Sequence, residues 1–338
     1  MKVLGIESSC DECAAAVVED GVRILSNVVA TQIPYHAAYR GVVPEIASRK
    51  HTEWIYDVCA AALRDAGLES ARIDGVAATG RPGLTGSLLV GLGFAKAFAY
   101  ARGLPFVSCD HILSHLYAAQ FVQPPPAYPF LGLLVSGGHT LICRVDSFDA
   151  IDVLGGTVDD AAGEAFDKVA RHFGWGYPGG KFVDALAAGG DAEAFDFPVA
   201  RLARKGRRCD VSYSGLKTAV VNQLEQFRRR GAPGHIHPPD IAASFQKAAV
   251  ETLLGALSNA VEDTGIATVV SGGGVAANSY LRERLFRLAG VRCIFPPPEL
   301  CGDNAAMVAG IGYQYLSRGM TSPLTVAPAA RVKAFQRR

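Results

Sequence analysis

Charge imbalance is what this chain most lacks. Its 33 lysines and arginines meet 32 aspartates and glutamates, for a formal net charge of +1. That argues against a uniformly basic nucleic-acid binder while leaving room for a local patch. No Gly-Lys-Ser/Thr follows any glycine-rich turn, so a kinase-type Walker lysine is absent. No GxGxxG opens a βαβ unit, which counts against a dinucleotide dehydrogenase. The longest apolar stretch, Ser87 to Tyr100, carries Lys96 and is too short to span a bilayer. Acidic Glu7 ends the first apolar run after a few residues, so no signal peptide is read and a soluble cytoplasmic protein is expected. The eight cysteines are scattered, with Cys59, Cys109, Cys143 and Cys293 in or beside apolar runs, as expected of reduced, buried thiols. Cys10 and Cys13 have CxxC spacing, but the second pair that a zinc knuckle needs is missing.

What is present is a large apolar fraction, 49% of 338 residues, enough for two domains with sizeable cores. One structural phrase occurs twice. Val3 to Val18 and Leu131 to Val145 each read as strand, small polar turn, strand. A third turn, Ser271-Gly-Gly-Gly274, follows a buried strand and opens a helix, where backbone N–H groups can hold phosphate or carboxylate. The expectation is a duplicated α/β fold gripping a nucleotide-like ligand between two lobes. The first lobe, 1–129, adds a strand at Arg23–Val29, a helix around Glu45–Ala66, a strand at Gly75–Thr79, a helix to Tyr100, a strand at Phe106–Ser108 and a helix from His111 to Phe121. Pro124 to Pro129 is the linker, since a proline cluster cannot continue a helix or a central strand. The second lobe, 130–322, is read as a hairpin, a helical region over Val158–Phe173, further helices to Ala260, the triple-glycine turn, and a final helix at about 304–317. A weakly patterned tail covers 323–338.

His111 and His115 stand at i and i+4, on one face of a helix that Asp110 can cap. Ile112 stands where a zincin would need glutamate. Two imidazoles and one carboxylate would leave open coordination positions suited to Fe(II) or Zn(II). Asp303 and Asp167 are both candidates for the carboxylate, and spacing alone does not choose between them. Leu134 to Gly138 and Ser271 to Gly274 are candidate anion cradles. Asp167 and Asp184, flanking Tyr177-Pro-Gly-Gly180, can accept hydrogen bonds from a ribose or amino group. Arg201, Arg204, Lys205, Arg207 and Arg208 form a basic run, and Arg228 to Arg230 a second, together a candidate polyanion footprint.

The motifs Glu7-Ser-Ser-Cys-Asp-Glu12, Gly41 to Arg49, His111-x3-His115, Val135 to Thr140, Asp160 to Asp167, Tyr177 to Gly180, Tyr213 to Lys217, Ser271 to Asn278 and Asp303 to Met307 follow one another in order. With them the chain closely resembles the bacterial tRNA N6-adenosine threonylcarbamoyltransferases (TsaD), once called glycoproteases, up to about Ser322. The resemblance implies an actin-like ATPase fold of the hexokinase/Hsp70 type, with two lobes and the last helix packing back toward the first. It implies transfer of threonylcarbamoyl from threonylcarbamoyl-AMP to N6 of adenosine 37 in tRNAs reading ANN codons. It also implies one metal ion, iron in the bacterial family, on His111, His115 and Asp303, a set expected to span both lobes. The implied adenylate contacts are Leu134, Val135, Ser136, Gly137, Gly138, Asp167, Gly180, Asp184 and Asn278. Glu12 is the candidate for orienting the amine or accepting its proton. A TsaB-like paralogue and a TsaE-like P-loop ATPase are the implied protein partners, and no membrane is involved. Cys13, Arg40, Lys181 and Gly302 depart from the family pattern, which commonly has threonine, glycine, proline and threonine there. A metalloprotease and an actin-fold ATPase or kinase are the rival readings; the first lacks its base, and the second does not account for the histidines.

Overall fold

The computed structural model describes residues 1–200, 202, 207–229 and 237–332. Two compact units divide the chain: Met1–Pro125 with Pro296–Arg338, and Pro126–Phe295. The stretch from Pro296, assigned above to the second lobe, thus groups with the first unit.

In the first unit, β1 (Lys2–Glu7), β2 (Glu12–Glu19) and β3 (Arg23–Thr31) form an antiparallel meander. A short helix α1 (Ile33–His36) and the long α2 (Pro44–Asp65) follow. Then come β4 (Gly75–Arg81), α3 (Thr85–Arg102), β5 (Phe106–Asp110) and α4 (His111–Tyr117). The sheet runs β3-β2-β1-β4-β5, with β1, β4 and β5 parallel. Val3, Leu4 and Ile6 are all buried because helices cover both faces, which explains the unbroken apolar reading of this strand. On one face Ile6, Ala15, Val76 and Ala78 pack with Ile55, Val58, Leu92 and Ala95 of α2 and α3.

In the second unit β6 (Phe130–Val135), β7 (Thr140–Val145) and β8 (Ile151–Gly156) form another meander. They lead to α5 (Ala162–Phe173), α6 (Gly179–Ala187), α7 (Ser214–Arg229) and α8 (Pro238–Thr264). After these come β9 (Thr268–Gly272), α9 (Ser279–Phe286) and β10 (Arg292–Ile294). The order β10-β9-β6-β7-β8, with β6, β9 and β10 parallel, repeats that of the first sheet. Strands β8 and β10 have no counterpart in the sequence reading. Both lie at sheet edges, where partial exposure weakens the apolar pattern. Helix α5 starts at Ala162 rather than Val158, because Asp159 first receives the N–H groups of Asp160 and Tyr213.

The last helix, α10 (Ala305–Leu316), covers the other face of the first sheet. A Cβ on Gly5 would lie 2.5 Å from the Ala305 carbonyl oxygen and 2.6 Å from the Ala309 nitrogen. Likewise, a Cβ on Gly312 would meet Ala77 at 2.3 Å. Glycine and alanine on both sides let helix and strand backbones approach this closely. Arg40, where the family commonly has glycine, takes φ of 53°, the left-handed region that glycine enters freely.

Candidate metal centre and nucleotide cradle

Three chain segments of the first unit meet at one end of its sheet. Strand β5 ends at Asp110, whose Oδ1 accepts the Ile112 and Leu113 N–H groups at 2.9 and 3.4 Å and so caps α4, as the sequence predicts. That cap fixes the helix on which His111 and His115 stand one turn apart, their rings edge to face at 4.5 Å. The third segment is the turn before α10. There Asn304 accepts the Met307 N–H and donates to the Leu300 and Gly302 carbonyls, which locks the turn that presents Asp303.

Asp303 Oδ1 lies 3.1 Å from His115 Nε2 and 3.6 Å from His111 Nε2. Ligands held at ~2.0–2.2 Å from one ion sit about 3.0–3.5 Å apart, so these spacings fit a shared cation. The donor set, two imidazoles and one carboxylate, suits Fe(II) or Zn(II). Among the described residues this is the one cluster of three or more such side chains close enough to hold a metal. The Cys10–Cys13 pair takes no part in it. The expectation that the three span both lobes is corrected: all belong to the first unit, because the chain returns there at Pro296. Asp167, the other carboxylate candidate, belongs to the second unit and accepts the Gly179 N–H at 2.6 Å.

Glu7 is a site residue that residue-by-residue reading missed. It is fully buried at the end of β1 and takes hydrogen bonds from Thr79 Oγ1 and the Ser9 N–H, both at 2.6 Å. Its Oε2 lies 3.0 Å from His111 Nδ1. A carboxylate behind the ring fixes a proton on Nδ1, so Nε2, turned to Asp303, is the nitrogen that would give up its proton to take a metal ion. Burial opposes charge on His111, but Glu7 and Asp303 overcome that and raise its pKa to about 9. His115 goes the other way, lowered first by burial and then by His111. The available signal for Glu7 was an acidic residue closing an otherwise apolar strand. Ile112 is buried, so the position of a zincin base is filled by a core side chain.

Glu12 begins β2, half-buried, with Thr31 Oγ1 donating to it at 3.2 Å. Burial, then the negative charges of Asp11 and Asp303, push its carboxyl well above the usual carboxylate range.

The second unit contains a cavity of about 270 Å³ lined by Gly137, Asp167, Gly180, Asp184 and Asn278, five of the nine expected adenylate contacts. Leu134 and Val135 are instead buried in β6, and Ser136 and Gly138 lie in the following turn outside the lining. Asp184 accepts from Asn278 Nδ2 at 3.1 Å and from the Ser279 N–H and hydroxyl at 3.1 and 2.7 Å. Asn278 caps α9 and donates to Gln246 at 2.9 Å. These two side chains therefore shape the wall as well as face it. Phe166, Pro178 and Val275 supply apolar surface, and Lys181 adds a cation at the rim.

A Cβ on Gly137, Gly180 or Gly274 would meet no protein atom within 4 Å. None of the three has a positive φ either, so neither protein packing nor backbone strain accounts for glycine there. Gly273, by contrast, has φ of 90° and would place a Cβ 2.4 Å from the Val135 carbonyl oxygen.

Of the basic run, Arg201, Arg204 and Lys205 lie outside the described residues, as do the side chains of Arg228 to Arg230. Arg207 is exposed. Arg208 pairs with Glu262 at 2.7 Å and Asp263 at 2.9 Å, which neutralises much of its charge. Among the described residues no helix is long and apolar enough to cross a membrane.

A family model described as "tRNA N6-adenosine threonylcarbamoyltransferase" (TsaD) matches residues 23–310. A protein of that name from Treponema denticola is 58% identical over 338 residues, covering 100% of this chain and 99% of the relative. One from Borreliella burgdorferi is 48% identical over 336 residues, covering 99% and 96%. Among solved structures, full-length HypF in its phosphate- and nucleotide-bound form aligns with TM-score 0.62 and 14% identity, over 95% of this chain and 56% of that one. Component A of the Acidaminococcus fermentans (R)-2-hydroxyglutaryl-CoA dehydratase aligns with TM-score 0.56 and 16% identity, over 94% and 99%. Both likenesses are of fold, the actin-like ATPase fold of two similar sheets.

Proposed function

Because the chain belongs to the tRNA N6-adenosine threonylcarbamoyltransferase family, we propose that His111, His115 and Asp303 hold one Fe(II) or Zn(II) ion and that the cavity of the second unit receives the adenylate of threonylcarbamoyl-AMP. The reaction forms t6A: a threonylcarbamoyl group is transferred to N6 of an adenosine in tRNA. The metalloprotease reading is not favoured. Adenosine 37 of ANN-reading tRNAs is the acceptor that the resemblance implies.

In this reading the N6–carbon bond forms, the carbon–oxygen bond to the phosphate breaks, and AMP leaves. AMP is a good leaving group, whereas the adenosine amine is a poor nucleophile because its lone pair is delocalised into the ring. The protein's main tasks are then orientation and relief of developing charge. A bound metal supplies Lewis-acid polarisation of a carbonyl or phosphate oxygen. Glu7 holds the Nδ1 proton of His111, so that Nε2 is the nitrogen that would bind the ion. Glu12, its carboxyl raised by burial and by neighbouring carboxylates, accepts the N6 proton. Gly137, Gly180 and Gly274 let the ligand approach the backbone closely, and Phe166, Pro178 and Val275 offer apolar walls for the base.

Of the basic run proposed as the tRNA footprint, the described residues include Arg207, which is exposed, and Arg208, which is paired. A TsaB-like paralogue, a TsaE-like ATPase and a cytoplasmic location rest on the resemblance and on the tRNA substrate. The observation that carries the proposal is the approach of both Nε2 atoms to Asp303 Oδ1, with Glu7 behind His111. Its test is transfer of labelled threonylcarbamoyl from preformed adenylate to unmodified tRNA, with and without chelator. Full transfer by chelated, metal-free protein would overturn the metal assignment.

A further inference from the structure

The two carbonyls that precede Glu12 are both held from outside their turn. The Gln32 N–H donates to the Asp11 carbonyl at 2.9 Å, and His51 Nε2 lies 3.0 Å from the Cys10 carbonyl. A carbonyl only accepts, so His51 carries its proton on Nε2 and offers a lone pair at Nδ1. The tautomer of His36 follows from a different contact. The Val43 N–H donates to His36 Nδ1 at 3.3 Å, which leaves the proton of the neutral ring on Nε2. The Gln32 side chain donates from Nε2 to the Ala47 carbonyl at 3.4 Å and keeps Oε1 as an acceptor.

All three side chains are fully buried, yet His36 Nε2, His51 Nδ1 and Gln32 Oε1 have no protein partner. They are also neighbours. Gln32 and His36 are one turn apart, as are Ala47 and His51 on α2, and Gln32 bridges the two segments. One donor and two acceptors are the complement of a single water that accepts once and donates twice.

We propose that Gln32, His36 and His51, joined by one buried water, brace the Cys10–Asp11 backbone and so aim the Glu12 carboxyl, which makes His51 a positioning residue for proton acceptance from the adenosine amine. This rests on the role given to Glu12 above. None of the three belongs to the candidate metal cluster of His111, His115 and Asp303.

The test is a mutant cycle in the reconstituted transfer reaction. His51→Leu removes the donor to Cys10, while His51→Gln keeps an N–H at similar reach. His51→Leu is expected to lower kcat by about 10-fold or more, with bound metal and KM for threonylcarbamoyl-AMP unchanged, and His51→Gln is expected to restore most of the loss. In a Glu12→Gln background His51→Leu should cost nothing further, because both act through one group. Wild-type kcat in His51→Leu, no rescue by glutamine, or losses that multiply in the double variant would each overturn the brace. Full turnover of Glu12→Gln alone would instead show that the premise about Glu12 had failed. Long-range nitrogen–proton NMR of the imidazoles reads the same proposal without activity: both rings should be protonated at Nε2, and an Nδ1-protonated His51 contradicts it.

Discussion

The two units trace their strands in the same order, yet they furnish the equivalent turn with opposite chemistry. Where β1 gives way to β2 the first unit carries Glu7 as the last residue of β1, Asp11 in the turn and Glu12 as the first residue of β2; between β6 and β7 the second carries Ser136, Gly137, Gly138 and His139. At the end of the adjacent parallel strand, Thr79 hydrogen-bonds Glu7, whereas Gly273 brings its backbone against the Val135 carbonyl. One turn gathers carboxylates, one of which, Glu7, backs an imidazole of the candidate metal centre. The other offers bare backbone and suits an anion or a nucleoside. A duplicated scaffold can therefore divide a two-part task by changing a few residues per turn, with the sheets left alike.

The largest expected effect tests the carboxylate-rich side. His111→Ala, His115→Ala and Asp303→Ala should each lower transfer at least ~100-fold and strip the metal, measured by elemental analysis beside single-turnover assays. Near-normal turnover in all three would erase the contrast between the units. Glu7→Gln keeps the shape but removes the charge behind His111, and metal affinity in chelator competition should fall about 10–100-fold.

The glycine side is sharpened by Gly180→Ala. The added methyl meets no protein atom and lies in helix α6, so stability should rise by about 0.5–1 kcal/mol while KM for the adenylate increases several-fold. A higher melting temperature with unchanged KM would leave the cradle without support at that position.

A paired carboxylate of the second unit gives a smaller test. Asp160 in the second unit is held below its ordinary pKa: burial works against this, and hydrogen bonds from Lys168 and Lys217 outweigh it. Its folded value lies below the unfolded one, so its contribution is present above pH ~4 and disappears as pH falls through the folded value. Urea unfolding should therefore show Asp160→Asn weaker than wild type at pH 6, with the gap closing toward pH 3. The smallest effect concerns Arg207→Glu, which should weaken tRNA binding and reduce its salt slope by about one or two phosphate contacts.

Much of the first site was legible locally. The His111/His115 spacing, the Asp110 cap and the missing glutamate at 112 are all properties of a few consecutive residues. The partner carboxylate was not legible from spacing, because Asp303 stands 188 residues from His115 and reaches it only through the packing of α10 on β1. That packing depends on Gly5, Ala305, Ala309 and Gly312, small residues that in sequence read as ordinary filler. Glu7 was hidden for a related reason: its partners Thr79 and His111 come from two other strand ends. In the second unit the glycine turns were visible, but the side chains of Asp184 and Asn278 proved to be tied into helix α9 and Gln246 as well as facing the cavity.

The return of the chain to its first sheet has a consequence for biosynthesis. Every strand of the second unit lies between residues 130 and 294, whereas the helix that closes the first sheet begins at Ala305. A ribosome working from the N-terminus thus delivers the complete later sheet before the earlier one can be covered, the reverse of the usual N-terminal-first order. Until that helix packs on the first sheet, the nascent protein has its two imidazoles but no aspartate held beside them.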